Sequence, residues 1–291
     1  MDTAARPWRS ALYIPGSRAR ALDKARSLPA DAILFDLEDA VAPDEKPAAR
    51  RLLAETLAAG GYGHRALIVR VNAIDTPWGA DDIDTLAAAR PAAILLPKVN
   101  RAADIEALAR RLDARPETSE TRIWAMMETP LSALRAAEIA AAPRMQGFVV
   151  GTNDLAKDLG ARFRPDRLPL MWALQSCLLA ARAFGLVCID GVYNAFRDSE
   201  GLRAECEQGR DLGMDGKSLI HPDQVPVANE VFAPAEAEID LARRQIAAFE
   251  EARAAGAGVA VVDGRIVENL HVAAAKATLA KAEAIATLAA G

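Results

Sequence analysis

The sequence predicts a (β/α)8 TIM barrel with a C-terminal extension of helix and hairpin, and three observations predict it. Short β-branched or apolar runs alternate with amphipathic, Ala-rich stretches, the rhythm of parallel strands joined by crossover helices. Eight strand-like runs can be counted, enough to close a barrel rather than leave an open sheet. The chain has 291 residues, more than the roughly 250 that such a barrel needs, and its last part departs from the rhythm.

The strand-like runs are residues 10–14, 32–36, 66–71, 92–97, 122–127, 147–151, 186–190 and 216–220. Helical patterns lie between them at 44–59, 101–114, 131–141, 170–184 and 199–212. The turn Pro15-Gly16-Ser17-Arg18 leads from the first strand into a helix bearing Arg20 and Lys24. After Pro222 the pattern changes. Residues 234–254 read as one long polar-faced helix and 255–258 as a break. Residues 259–263 and 265–267 flank Gly264 as a small hairpin, and 269–288 form a final Ala-rich helix. The domains are therefore a barrel over 1–232 and an extension over 233–291. The extension is too small to bury a core alone and is expected to pack on the barrel or on a neighbouring subunit.

Composition narrows the function classes. Apolar residues make up 52% and charged residues 26%, ordinary for a soluble globular protein. The net charge is −5 and the pI about 5.4, with no basic block, so no nucleic-acid partner is expected. The longest uncharged apolar stretch, 168–181, is too short to span a bilayer, and no apolar run opens the chain. No membrane partner, no signal peptide and a cytoplasmic location are expected. Cys177, Cys188 and Cys206 form no metal or redox spacing and read as free core thiols.

Barrel enzymes place their chemistry at the C-terminal strand ends. Here strand two ends in Asp36, followed by Glu38 and Asp39. Strand three ends in Arg70 before Asn72, strand four in Lys98, and strand five in Glu128. Strand six is followed by Thr152, Asn153 and Asp154, strand seven ends in Asp190, and His221 follows strand eight. Any one of these could be a satisfied rim residue; together they outline a catalytic face. Carboxylates without clustered His or Cys favour Mg2+, with Mn2+ as the alternative, over zinc. Glu128 and Asp154, at adjacent strand ends, could share one ion. Asp36, Glu38 and Asp39 could bind the ion's waters or neighbouring cations, or form a solvated loop. The Arg70 fork suits a substrate carboxylate or a developing oxyanion, and a salt bridge to Asp36 or Glu38 is compatible with that role. Lys98 has a weaker claim, and His221 before proline reads as a structural hydrogen bonder.

The segments Arg9-Ser10-Ala11-Leu12-Tyr13-Ile14-Pro15-Gly16-Ser17, Phe35-Asp36-Leu37-Glu38-Asp39-Ala40-Val41, Arg70-Val71-Asn72, Leu96-Pro97-Lys98, Met127-Glu128-Thr129, Gly151-Thr152-Asn153-Asp154-Leu155-Ala156 and Gly216-Lys217-Ser218-Leu219-Ile220-His221-Pro222 carry a resemblance. Together they resemble the citrate lyase β-subunit-like proteins of the HpcH/HpaI aldolase superfamily, which include malyl-CoA, citramalyl-CoA and β-methylmalyl-CoA lyases. The resemblance implies the barrel, Mg2+, a CoA-thioester substrate and homo-oligomers, often trimers or hexamers. It implies Glu128 and Asp154 as metal ligands, Arg70 on the substrate and its oxyanion, and Arg18 and Lys24 toward the CoA phosphates. In the lyases a segment ending in Met-Ile-Asp supplies an acid from a neighbouring subunit. Here Gly264-Arg265-Ile266-Val267-Glu268 stands in its place, so Glu268 keeps the carboxylate and adds a methylene.

The expected reaction is a Mg2+-dependent cleavage or formation of a carbon–carbon bond in a 3-hydroxy-3-carboxyacyl-CoA, giving a 2-oxo acid and an acyl-CoA. Arg70 would stabilise the enolate, and Glu268 would be the base in the condensation direction. The alternatives are an aldolase on free 2-oxo acids, a thioesterase step after condensation, and a carrier-dependent citrate lyase subunit.

Overall fold

Residues 6–290 are the described part of the computed structural model. Eight parallel strands close into a barrel in sequence order. They are β1 (Ser10–Pro15), β2 (Ala32–Asp36), β3 (Ala66–Arg70), β4 (Ala93–Leu96), β5 (Arg122–Met127), β6 (Met145–Val150), β7 (Val187–Asp190) and β8 (Gly216–Leu219). The fold class is the one the sequence predicts, and each strand lies within about two residues of its expected span. The helices are α1 (Ala19–Lys24), α2 (Lys46–Ala59), α3 (Gly79–Ala87), α4 (Ala102–Asp113), α5 (Pro130–Leu134), α6 (Ala136–Ala140), α7 (Thr152–Asp158), α8 (Met171–Ala183), α9 (Ser199–Leu212) and α10 (Val225–Val231).

One helical expectation is corrected. Residues 131–141 are two short helices, because Arg135 leaves helical backbone geometry at φ −110° and ψ 19°. The bend lets Ala133, Ala136, Ile139 and Ala140 all reach buried positions. The barrel interior is filled from alternate strand positions, as the two-residue period requires. Ala11, Ala32, Ala66 and Ala93 leave room for Trp8 and Trp124 within the same buried cluster. Those two rings lie 5.0 Å apart and tilted.

The described chain forms two compact units, 8–229 and a second that takes in 230–290 with residues 6 and 7. The division falls within α10. The second unit holds α11 (Glu236–Ala254), β9 (Ala260–Val262), β10 (Arg265–Val267) and α12 (Asn269–Ala290). β9 and β10 pair antiparallel. Asp263 and Gly264 between them both take positive φ, the requirement of a tight hairpin turn. This unit holds a small hydrophobic cluster. Phe249, Ala260, Val267 and Val272 are buried together, with Ile246 and Val262 packed against them. Among the described residues no helix is long and apolar enough to cross a membrane.

Candidate active site

A closed parallel barrel presents all its C-terminal strand ends at one mouth, and register decides which groups meet there. Asp36 and Arg70 are direct partners in the β2–β3 register. Arg70 Nε donates to Asp36 Oδ1 at 2.8 Å and Nη2 to Oδ2 at 2.6 Å. Asp36 also accepts the backbone N–H groups of Glu38 at 2.9 Å and Ala40 at 3.0 Å. This carboxylate therefore fixes both the guanidinium and the loop after β2. Lys46 ties the same loop from α2. Its Nζ donates to the carbonyls of Leu37 and Glu38 and to Asn72 Oδ1 at 2.7–2.9 Å.

Arg70 Nη1 faces Glu38 Oε2 at 2.9 Å and Asp39 Oδ2 at 3.4 Å, and the guanidinium lies 5.0 Å over the Tyr13 ring. Burial opposes its charge, but Tyr13, Asp36 and Glu38 outweigh burial and hold it protonated. Burial pushes the Glu38 carboxyl up to about 8, against the pull of Arg70. Glu38 Oε2 is buried and, despite its ion contact, has no hydrogen-bond partner.

The other half of the mouth is built on β4, β5 and β6. Met127 pairs with Val150, so the next step along both strands brings Glu128 against Gly151. A Cβ on Gly151 would stand 2.4 Å from Glu128 Cβ and 2.9 Å from Oε2, and its absence makes room for the carboxylate. Asp154 projects from the first turn of α7. Lys98 has a left-handed backbone at φ 53°, uncommon without glycine and worth noting at a functional site. Its N–H donates to Glu128 Oε1 at 2.7 Å. Its ammonium lies 2.7 Å from Asp154 Oδ2 and 3.6 Å from Glu128 Oε2. Burial raises Glu128 against the opposing charge and N–H of Lys98. Partial burial also works on Asp154, but Lys98 prevails and holds it below the usual carboxylate range.

Two carboxylates thus converge on one cationic group. The ammonium lies between the two carboxylates that could share an ion. Among the described residues no cluster of three or more His, Cys, Asp or Glu could hold a metal alone. Two carboxylates, one buried and one partly open, are the protein share that Mg2+ or Mn2+ commonly takes, the remaining positions going to water and substrate. The residues present fit such an ion. Tyr13, Asp36, Arg70, Met126, Glu128 and Asp154 are among the groups lining a cavity of about 400 Å³ at this mouth.

The structure therefore brings together Asp36, Glu38, Arg70, Glu128 and Asp154, and gives Lys98 a more central place than the sequence did. Arg18 and Lys24 are exposed, on the turn after β1 and in the last turn of α1, outside the residues lining this cavity. Glu268 is exposed between β10 and α12 in the second unit, where its N–H donates to His271 Nδ1. His221 Nδ1 accepts the Asp223 N–H and its ring stacks on Phe196, a structural role.

A second charged cluster escaped sequence reasoning in part. Asp190 and Lys217 are register partners and both fully buried. Lys217 Nζ lies 3.1 Å from Asp190 Oδ2 and 2.7 Å from Glu205 Oε1. Arg167 Nη1 donates to both oxygens of Asp190 at 2.7 and 2.8 Å. Asp190 was visible as a strand end, whereas Arg167 sits in a loop with no periodic signal.

A (β/α)8 barrel with this density of ionised groups at the C-terminal strand ends has the architecture of an enzyme. The match of residues 9–222 to the HpcH/HpaI aldolase/citrate lyase model says which: the chain belongs to that family. It is 65% identical over 286 residues to a (3S)-malyl-CoA thioesterase of Cereibacter sphaeroides (strain KD131), covering 98% of each chain. It is 36% identical over 306 residues to the L-malyl-CoA/beta-methylmalyl-CoA lyase of the same species (strain ATCC 17029), covering 97% of this chain and 96% of the other. Among solved structures, CitE from Mycobacterium tuberculosis in complex with magnesium, acetoacetate and coenzyme A superposes with a TM-score of 0.80 at 33% identity. That match covers 97% of this chain and 99% of the other.

Proposed function

We propose that this protein is a Mg2+-dependent enzyme acting on a 3-hydroxy-3-carboxyacyl-CoA thioester of the malyl type, and that it hydrolyses the thioester. The observation that carries the substrate class is the barrel mouth, where Glu128 and Asp154 converge on one cationic position beside the fixed guanidinium of Arg70. A malyl thioester offers a hydroxyl and a carboxylate to such an ion and its thioester carbonyl oxygen, on which negative charge develops, to the arginine. The full-length identity of 65% to a malyl-CoA thioesterase, against 36% to a lyase, favours hydrolysis.

Glu128 and Asp154 would hold the ion, with Mn2+ able to replace Mg2+. When bound, it supplies Lewis acidity and a template for the hydroxyl and carboxylate. The protein's own groups do the rest. Arg70, oriented by Asp36, neutralises negative charge developing on the thioester oxygen. A carboxylate removes a proton from water as the water oxygen bonds to the thioester carbon. The carbon–sulfur bond then breaks, and the thiolate leaves and is protonated. Glu268, supplied by a neighbouring copy in a homo-oligomer, would be that base. Arg18 and Lys24, both exposed, would contact the CoA phosphates outside this cavity.

The second reading is carbon–carbon cleavage, favoured by the family and the 36% identical lyase. There a base takes the proton of the 3-hydroxyl, the bond between carbons two and three breaks, and a 2-oxo acid and an acyl-CoA enolate form. One assay separates the two: (3S)-malyl-CoA with Mg2+ or EDTA, reading free thiol and 2-oxo acid together. Metal-dependent thiol without 2-oxo acid supports hydrolysis, and 2-oxo acid without thiol supports the lyase. Neither product would sink both readings and favour a carrier-bound substrate or a free 2-oxo acid.

A further inference from the structure

A second cavity of about 490 Å³ lies beside the catalytic one, with Phe163, Pro165, Leu170 and Tyr193 on its walls beside the charged Arg162, Arg164, Arg167 and Glu205. Thr152, Asn153, Val192 and Asn194 line both cavities. These four form the partition, and its outer part is an amide pair. Asn194 Nδ2 donates to Asn153 Oδ1 at 2.8 Å, and Asn153 Nδ2 donates back to Asn194 Oδ1 at 3.2 Å. The pair ties the first turn of α7 to the loop after β7.

Below the pair the two segments touch closely. A Cβ on Gly191 would stand 2.4 Å from Thr152 Oγ1, so this loop approaches Thr152 only because residue 191 has no side chain. The base of the wall is therefore closely packed, whereas its rim rests on two exposed amide hydrogen bonds, each individually weak. Asn153 directly precedes Asp154. An acyl group held at Asp154 is thus next to the wall, and the apolar side chains of Phe163, Pro165 and Leu170 line part of the chamber behind it.

We propose that the Asn153–Asn194 pair sets the largest acyl group this enzyme accepts, and that the chamber behind it receives an alkyl branch on the hydroxyl-bearing carbon once the pair is opened. This rests on the hydroxy-acid reading of the catalytic cavity and adds a specificity-determining wall to it. An unbranched malyl group stays on the polar side. A branched one needs the apolar side, where its alkyl group leaves water.

The test uses free acids, so it does not depend on thioester turnover. With Mg2+ present, binding of malate, 2-methylmalate and 2-isopropylmalate is measured by calorimetry on the wild type and on Asn194→Ala, with Asn194→Ser as a second variant that removes the same bridge. The wild type is expected to prefer malate over 2-isopropylmalate by at least about tenfold, within the range pocket size alone provides. Both variants should bring the ratio close to one by gaining the branched acid. An unchanged ratio in both variants overturns this proposal alone, as does a wild type that already binds the branched acid as tightly as malate. A wild type that binds none of the three acids also overturns this proposal, which requires the acyl group itself to be held beside the wall, whereas the malyl-CoA reading stands or falls on the thiol and 2-oxo acid assay.

Discussion

Lys98 grips Glu128 at two points: its backbone N–H donates to Oε1 at 2.7 Å while its ammonium faces Oε2 at 3.6 Å. The same ammonium reaches Asp154 at 2.7 Å. On the proposal that Glu128 and Asp154 hold the metal, a divalent cation would compete with this ammonium for the place between two carboxylates.

The competition predicts a thermal-shift result. In EDTA, Lys98→Met should melt below the wild type, because Glu128 and Asp154 lose the charge between them. Lys98 is 39% exposed on its side chain, so the cost is at the low end, roughly 1 kcal/mol. Saturating Mg2+ should then raise the melting temperature of the variant more than that of the wild type, since binding stabilises by about 2.7 kcal/mol at a hundredfold excess over Kd and no ammonium has to move. Equal Mg2+ shifts in both proteins would mean that the ion and Lys98 occupy different places.

Arg70 serves two tasks that substitutions can separate. Arg70→Ala removes the fork from Asp36 and leaves a buried carboxylate without its partner. The expected loss is about 3–5 kcal/mol of stability, together with roughly 10²–10³-fold in kcat. Arg70→Lys keeps the charge but not the planar fork. It should recover much of the stability in a urea titration and little of the turnover. Wild-type-like turnover in Arg70→Lys would show that a point charge suffices and that the fork acts only on Asp36.

The buried Asp190–Lys217–Arg167–Glu205 cluster predicts a pH dependence of stability. Burial works against the Asp190 carboxylate, but Lys217 and Arg167 hold its pKa below the ordinary value. A depressed carboxyl contributes stability that is present above its unfolded pKa of about 3.9. That contribution is lost as pH falls through the lower folded value. Burial likewise opposes the Lys217 charge, but Asp190 and Glu205 raise its pKa above the ordinary value. A raised lysine contributes stability that is full below about 10.4 and lost as pH rises through the folded value. Chemical denaturation of the wild type should therefore show an acid and an alkaline loss from this cluster. Lys217→Met should cost about 3–5 kcal/mol at neutral pH and should remove the alkaline contribution. An Asp190→Asn, Lys217→Met double variant with the wild-type acid limb would assign that limb elsewhere.

What the sequence revealed follows from what barrels demand. Strand interiors must be apolar for several residues, so Asp36, Arg70, Lys98, Glu128 and Asp190 stand out where each run stops. Register then converts neighbouring strand ends into partners, which is why Asp36 meets Arg70 and Asp190 meets Lys217. Lys46 was illegible because a lysine at the start of an amphipathic helix usually faces solvent, whereas this one is buried under the loop it ties. Arg167 was illegible because its place depends on a left-handed loop residue, φ 51°, and no periodicity reports loops. The split at Arg135 left no trace either, since no glycine or proline marks it.

Glu268 yields a prediction that a single-site variant cannot make. If the acid at the barrel mouth comes from a neighbouring copy, Arg70→Lys and Glu268→Gln inactivate different halves of the same composite site. Mixed one to one after reversible dissociation, they should regenerate native sites wherever an intact barrel meets an intact Glu268. Random mixing gives about a quarter of the wild-type activity in a closed ring. The exposed side chains of Leu134 on α5 and of Trp172 and Leu179 on α8 supply apolar surface for such an assembly. Trp172→Asp should accordingly shift the protein to smaller species in size-exclusion chromatography with light scattering, and lower turnover in parallel. Mixed inactive variants that stay inactive, while the scattering mass confirms exchanged oligomers, would place the catalytic acid within one chain and remove Glu268 from the role of a donated base.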